Sequence, residues 1–375
     1  MNRRGFSLLE LVIAVGITSV VVAGISVILV KQSQASVKQT QQRSMEETGR
    51  QALLELAYAV RMAGAGIAPT AAFDFDHYAC STPGTATSCN NNPGIERAPL
   101  TPTPGVPGQR DKTDGPDELV VSYRDPVFSR NLTNLVGLGP YTATLDNPLR
   151  TSIRQGRIAM LLCSGADPVS YVKFSADAPQ GALSVTLNAV EDADGNYPKT
   201  PPSDNCFAKS SMVLVERARY YVANDFDGVP ALFRDRGRAG DPQVLLRGIE
   251  DLQLTYTIGP APAGSGAPTI AGCGTGWVFG SCNQGVPLAP AVPDPDWVKD
   301  AYDAPTRFTA RPANIRSVEI NLVARATAAS PDKAGDPVPQ IANRPGRAAD
   351  TFPRSIFKLT EQTPNLLARA TVMPG

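Results

Sequence analysis

From Leu11 to Val30 the chain runs twenty residues without a charge, and Lys31 closes the run. At 1.5 Å per residue, such a helix spans about 30 Å, the thickness of one bilayer core. Past Lys31 the pattern changes. Residues 31–63 carry no proline and are rich in Gln, Glu, Arg, Ala and Leu. Leu53, Leu56, Ala57, Val60 and Ala63 recur at three and four, the spacing of one helical face. The pattern predicts one helix over Phe6–Ala63, about 87 Å long, stopped by Gly64, Gly66 and Pro69. Its first half is apolar all round and its second half amphipathic. A coiled-coil stalk is the alternative for residues 31–66, but a sustained heptad seam is absent.

Beyond Pro69 the period shortens to two. Strands are predicted at Glu118–Tyr123, Arg157–Leu162, Leu183–Leu187 and Met212–Glu216, the last continuing through Ala223. More are predicted at Ala231–Arg234, Asp251–Tyr256 and Ile315–Ala324. Residues 70–115, 259–305 and 328–350 read as insertions rich in Pro, Gly, Ala, Thr or Asn. The expected fold class is α+β: a long N-terminal helix packed on an antiparallel sheet body (67–375), elaborated by disulfide-pinned loops. A two-lobed body stays open.

Composition supports that reading. Gly (32) and Pro (34) are in excess over ordinary chains, which favours turns and long loops over helices. The 35 basic and 35 acidic residues balance, so no global field argues for nucleic acid. Six cysteines stand apart with no C-x-x-C pair, and His77 is the sole histidine, which disfavours zinc. The even count suits disulfides in an oxidising compartment. Local pairing is expected at Cys80–Cys89 and Cys273–Cys282, leaving Cys163–Cys206 as the long link. Fifteen connectivities exist, and free thiols are the alternative.

No catalytic motif is present, and nucleophilic catalysis would have to pass through His77, so no enzyme and no cofactor are expected. Asp192 and Asp194, and likewise Asp225 and Asp227, offer alternating oxygens that could hold calcium. Neither cluster has the glutamate that completes an EF-hand loop, and hairpin turns use the same residues, so metal is not expected. Trp277, Phe279, Trp297 and Tyr302 cluster in the 259–305 insertion, as a contact surface or a satellite core.

The extreme N-terminus carries the most specific signal. Met1-Asn2-Arg3-Arg4-Gly5 is short and basic, and Phe6-Ser7-Leu8-Leu9-Glu10 follows. Arg3 and Arg4 hold this end in the cytoplasm and place the body outside it. A secretory signal would have a shorter apolar stretch ending in a small-x-small site. A plain membrane anchor leaves Glu10 unexplained, because a carboxylate driven to mid-membrane costs about 2.5–3.5 kcal/mol.

Gly5 to Glu10 resembles the cleavage and methylation motif of type IV prepilins. The resemblance implies cleavage between Gly5 and Phe6 by a membrane peptidase, making 1–5 a leader. It also implies N-methylation of Phe6 and pairing of Glu10 with a neighbouring subunit's amino terminus. Opposite charges in a low dielectric would relieve each other's desolvation. The chain departs from many major pilins in having no proline within Leu11–Val30, only Gly16 and Gly24.

A narrower resemblance, to the PilW class of minor pilins, rests on four segments. These are Asp114–Leu119; Tyr220–Val222 with Pro230–Arg234; Leu245–Tyr256; and Arg316–Ile320 through Arg325. It implies a minor pilin that starts pilus assembly and sits near the tip, supporting adhesion and motility. The implied partners are other minor pilins, the major pilin, a large tip adhesin, the prepilin peptidase and the inner-membrane assembly platform. Two alternatives stay open. One is a J-type pseudopilin of type II secretion, although those are usually shorter. The other is a membrane-anchored extracellular binding protein or enzyme using a prepilin signal. The pseudopilin that caps secretion fibres typically lacks the glutamate, and Glu10 is present here.

Overall fold

The computed structural model describes residues 8–73, 115–163, 169–190, 210–238, 241–258, 315–330, 335–342 and 344–367. It also describes short pieces at 197, 201–202, 206–207 and 277–279. The helix α1 spans Leu8–Met62. Among the described residues twelve strands follow. They are β1 (Leu119–Val136), β2 (Tyr141–Leu145), β3 (Ile158–Cys163), β4 (Ser170–Phe174), β5 (Ser184–Ala189) and β6 (Ser210–Asn224). The remainder are β7 (Pro230–Asp235), β8 (Gln243–Arg247), β9 (Ile249–Ile258), β10 (Trp277–Phe279), β11 (Ile315–Arg325) and β12 (Arg354–Gln362). A short helix, α2, closes the described chain at Pro364–Leu367.

Every residue of α1 from Leu11 to Thr40 is exposed. Burial begins at Met45 and repeats at Ala52, Leu56, Ala59, Val60 and Ala63, a single stripe at helical spacing. At Gly64 the chain turns into the left-handed region (φ 76°), and the Gly64 N–H donates to the Ser122 carbonyl at 2.9 Å. Glycine takes that conformation without a Cβ penalty, which is why the helix ends there. Asn365 Nδ2 donates to the free Arg61 carbonyl at 2.7 Å, a cap supplied from the far end of the body.

The buried stripe lies on a four-stranded antiparallel sheet of order β10-β9-β11-β12. Leu252 and Leu254 of β9 and Val318, Ile320 and Leu322 of β11 share one core with α1. Each such side chain contributes roughly 1.5–3 kcal/mol by leaving water. Gly49 lets the helix approach β12 closely, because a Cβ there would run into the Phe357 ring.

The remaining strands form an eight-stranded sheet of order β1-β2-β5-β4-β3-β6-β7-β8. β1 also pairs with β6, so β1-β2-β5-β4-β3-β6 returns on itself as a six-stranded barrel. Alternation sorts its two faces. Leu161, Val172, Leu187 and Met212 fill the interior, while Met160, Val213 and Val215 pack outward against Ile67 and Tyr197. Cys163 and Cys206 are disulfide-bonded, with Cα atoms 4.4 Å apart across 43 residues of sequence.

The sequence predicts one sheet on the helix, whereas the structure has that sheet and a barrel beside it. β2, β4, β8, β10 and β12 are not among the predicted strands. β12 alternates Phe357 and Leu359 with Lys358 and Thr360, a pattern weakened by its charges. β1 runs thirteen residues past Tyr123, through Pro126. The ladder with β6 breaks between Arg124 and Ser129, which is how a strand accommodates a residue lacking an N–H.

Candidate assembly interface

The exposed half of α1 is a rod of apolar side chains standing clear of the body. Its hydroxyls are satisfied within the helix: Thr18 donates to Ala14 O at 2.7 Å, Ser19 to Val15 O at 2.8 Å and Ser26 to Val22 O at 2.8 Å. No polar side chain among these demands water, as a span in hydrocarbon requires. Nothing lies within 4 Å of where a Cβ on Gly16 or Gly24 would sit. Glu10 lies in the first turns of α1, while Gly5 and Phe6 lie outside the described residues.

Polar and charged contacts join the body to the docked half of α1. Tyr220 Oη and Arg234 Nη1 both donate to Glu55 Oε1, at 3.2 and 3.0 Å, linking α1 to β6 and β7. Arg61 lies 3.6 Å from Glu361 of β12. Burial, with Glu55 nearby, pushes the Tyr220 hydroxyl well above its ordinary range.

A second set of pairs welds barrel to sheet. The Asp117 N–H donates to Leu252 O and its carboxylate accepts from the Leu254 N–H, both at 2.7 Å. Asp117 thus pairs with β9 on the side away from β11, short of the stretch that β10 takes. Glu118 beside it takes a two-pronged bond from Arg219, with both side chains only 1% exposed. Between β8 and β9, Gly248 (φ 85°) donates to Pro230 O and accepts from the Arg325 N–H, both at 2.7 Å. A Cβ there would sit 2.8 Å from the Arg325 carbonyl, so glycine marks the crossing from one sheet to the other.

The 328–350 insertion is in part a strap on the outer face of the four-stranded sheet. Arg347 pairs with Glu250 at 3.1 Å and with Asp251 at 3.4 Å, and Arg344 also pairs with Asp251. Arg354 bonds Glu250 at 2.7 Å and Asp350 at 2.5 Å. The Arg354 bond holds the Asp350 carboxyl down at about 2. Desolvation would raise the Glu250 carboxyl, but Arg354 and Arg347 outweigh it and hold it low.

Asp225 and Asp227 occupy the β6–β7 turn, where Arg247 meets both carboxylates at 2.5 Å. Asp225 Oδ1 also accepts the N–H groups of Asp227 and Val229, each at 2.9 Å. These oxygens are engaged by a guanidinium and by the turn's own backbone. Among the described residues no group of three metal-ligating side chains comes together. Trp277 and Phe279 lie on β10, which pairs with β9. Asp192, Asp194, His77, Cys80, Cys89, Cys273, Cys282, Trp297 and Tyr302 lie outside the described residues.

Sequence reasoning missed the arginines, namely Arg219, Arg234, Arg247, Arg344, Arg347 and Arg354. A signal existed. Two of the four PilW-like segments hold carboxylates or a glycine of these joints, namely Asp117, Glu118, Gly248, Glu250 and Asp251, but the arginine partners of Glu118 and Glu250 lie about one hundred residues away.

A long helix, half bare and apolar and half docked on an antiparallel sheet, is the build of a type IV pilin. Residues 1–26 match the family described as Prokaryotic N-terminal methylation motif, and residues 219–365 match Type IV Pilus-assembly protein W. Both matched segments are those of a PilW-like type IV pilin. The search of curated proteins found no match. Among solved structures, a type IV-like pilin from Thermus thermophilus matches at 14% identity. That match covers 57% of this chain and 86% of the other, with a TM-score of 0.21, too remote to add to the assignment.

Proposed function

We propose that this protein is a minor pilin that primes assembly of a type IV pilus and remains in a complex at its tip. The observation that carries the reading is the bare helix of residues 11–40, continuous with a helix half locked to a body of two sheets. In this reading the inner membrane holds residues 11–30, with the body in the periplasm. A prepilin peptidase removes residues 1–5, Phe6 is methylated, and Glu10 pairs with a neighbour's amino terminus during extraction into the fibre. The partners are other minor pilins, the major pilin, the assembly platform and a large tip adhesin. The role is structural and needs no cofactor. The match to the pilus-assembly W family supports the pilus over a secretion fibre.

Glu10→Val in the full chain tests it. Leader removal should proceed while surface pili and twitching fall. Intact piliation with Glu10→Val would sink the pairing mechanism. Wild-type piliation after deletion of the gene would sink the priming role.

A further inference from the structure

Phe226 is 92% exposed, yet it stands on one of the most tightly held turns of the body. Asp225 and Asp227 flank it, and Arg247 clamps both carboxylates while its guanidinium lies 5.7 Å from the Phe226 ring centroid. The turn is closed by Asp225 N–H to Val229 O at 2.9 Å and Gly228 N–H to Asp225 O at 3.0 Å. Beyond that guanidinium the ring buries almost nothing in this chain's own fold, while the turn beneath it is already ordered. It has the form of an interface anchor whose ordering cost is already met before binding.

Its place in the fold says what it faces. Arg234 of β7 sits level with Glu55 of α1 and is in register with Gln243 of β8. From there β8 descends to Arg247 and Gly248, whose carbonyl accepts from Arg325 at the end of β11. Just beyond, the Ala328 carbonyl accepts from Gln41 Nε2 at 3.3 Å. The β6–β7 turn therefore lies on the rim of the body nearest the membrane-spanning half of α1. Below that rim, residues 31–40 are polar except for Ala35 and Val37 and are all exposed, about 15 Å of helix with no body around it. A subunit whose apolar helix packs beside residues 11–30, displaced along the axis, would bring its body alongside this neck and under this rim.

We infer that Phe226 anchors this chain onto the body of the adjacent pilin-type subunit in the fibre, by entering an apolar pocket there beside the 31–40 neck. The inference rests on the minor-pilin reading above.

The test places a benzophenone photo-crosslinking amino acid at position 226 of the full-length chain in piliated cells. The same label at Leu138, fully exposed in the β1–β2 turn at the opposite end, is the control. Light should link position 226 to a protein carrying a processed prepilin N-terminus, at least about tenfold above Leu138. Phe226→Ala should reduce recovery of the chain in sheared fibres by a similar factor, with an unchanged melting temperature, and Phe226→Leu should restore most of it. If the chain enters fibres but position 226 links to lipid, to a protein of another kind, or to nothing, this inference is overturned and the function reading stands. If the chain never enters fibres, both fall.

Discussion

Arg219 and Glu118 form an ion pair that water does not reach, with Nε to Oε2 at 2.7 Å and Nη2 to Oε1 at 2.8 Å. The Arg219 guanidinium also lies 4.3 Å from the Tyr221 ring centroid. Glu118 immediately precedes β1 and Arg219 lies in the second half of β6, so the pair sits where the barrel strands pass into the helix-bearing half of the body. Removing one partner leaves a buried charge alone. Glu118→Gln or Arg219→Met should destabilise the protein by about 3–5 kcal/mol. The double variant should recover part of that loss. Thermal melts of the detergent-solubilised chain measure it, and additive single-variant losses would show that the two do not act as a pair.

The strap responds to acid. The Asp350 carboxyl is held at about 2, below its ordinary 3.8, mainly by the hydrogen bond from Arg354. A depressed carboxyl stabilises the fold above its ordinary value, and that stabilisation fades as pH falls from about 4 toward 2. Asp350 is 45% exposed, so the effect is screened to about 1 kcal/mol or less. Hydrogen exchange across 335–353 should rise over that window before the rest of the body loosens. In Asp350→Asn the step should shrink, leaving the smaller contribution of Glu250.

Gly49 tests how α1 seats on the sheet. Alanine gains about 1 kcal/mol of helix propensity but must displace the Phe357 ring. Overpacking of this kind costs about 1–3 kcal/mol, so Gly49→Ala should be net destabilising or close to neutral, and Gly49→Leu clearly worse. Phe357→Ala in the Gly49→Leu background should relieve the clash. If Gly49→Leu melts like the wild type, α1 does not seat against β12 in this register.

The Cys163–Cys206 link closes a span of 43 residues in the barrel. Loop-closure entropy assigns about 4 kcal/mol to a link of that length. A double Cys→Ser variant should lose stability on that order, seen first as faster exchange in β3 and β4. Unchanged exchange there would mean that the barrel core alone holds these strands.

Calcium should not stabilise the β6–β7 turn. A ligand that binds only the folded state raises the melting temperature, and Asp225 and Asp227 already face Arg247. Millimolar calcium should leave the melt unchanged in the wild type. Arg247→Ala frees both carboxylates, so any calcium response should emerge there.

The N-terminal helix of this protein is legible residue by residue. Twenty uncharged residues, the switch at Lys31 to a stripe at three and four, and the stop at Gly64 define α1 before any fold is known, because a helix's exposure pattern depends on neighbours three and four apart. The strands Arg157–Leu162, Ala231–Arg234 and Ile315–Ala324 are legible for the same local reason. What only the tertiary structure decides is which strands share a sheet, and which arginine meets which carboxylate. β1 closes a barrel by pairing with β6, ninety residues on, and Glu118 meets Arg219 across 101 residues. β8, β12 and the strap were hidden because exposed and charged edge strands carry weak alternation, and their order comes from partners already in place. A buried ion pair leaves no period in the sequence. Its two halves look like ordinary surface charges until the fold removes the water between them.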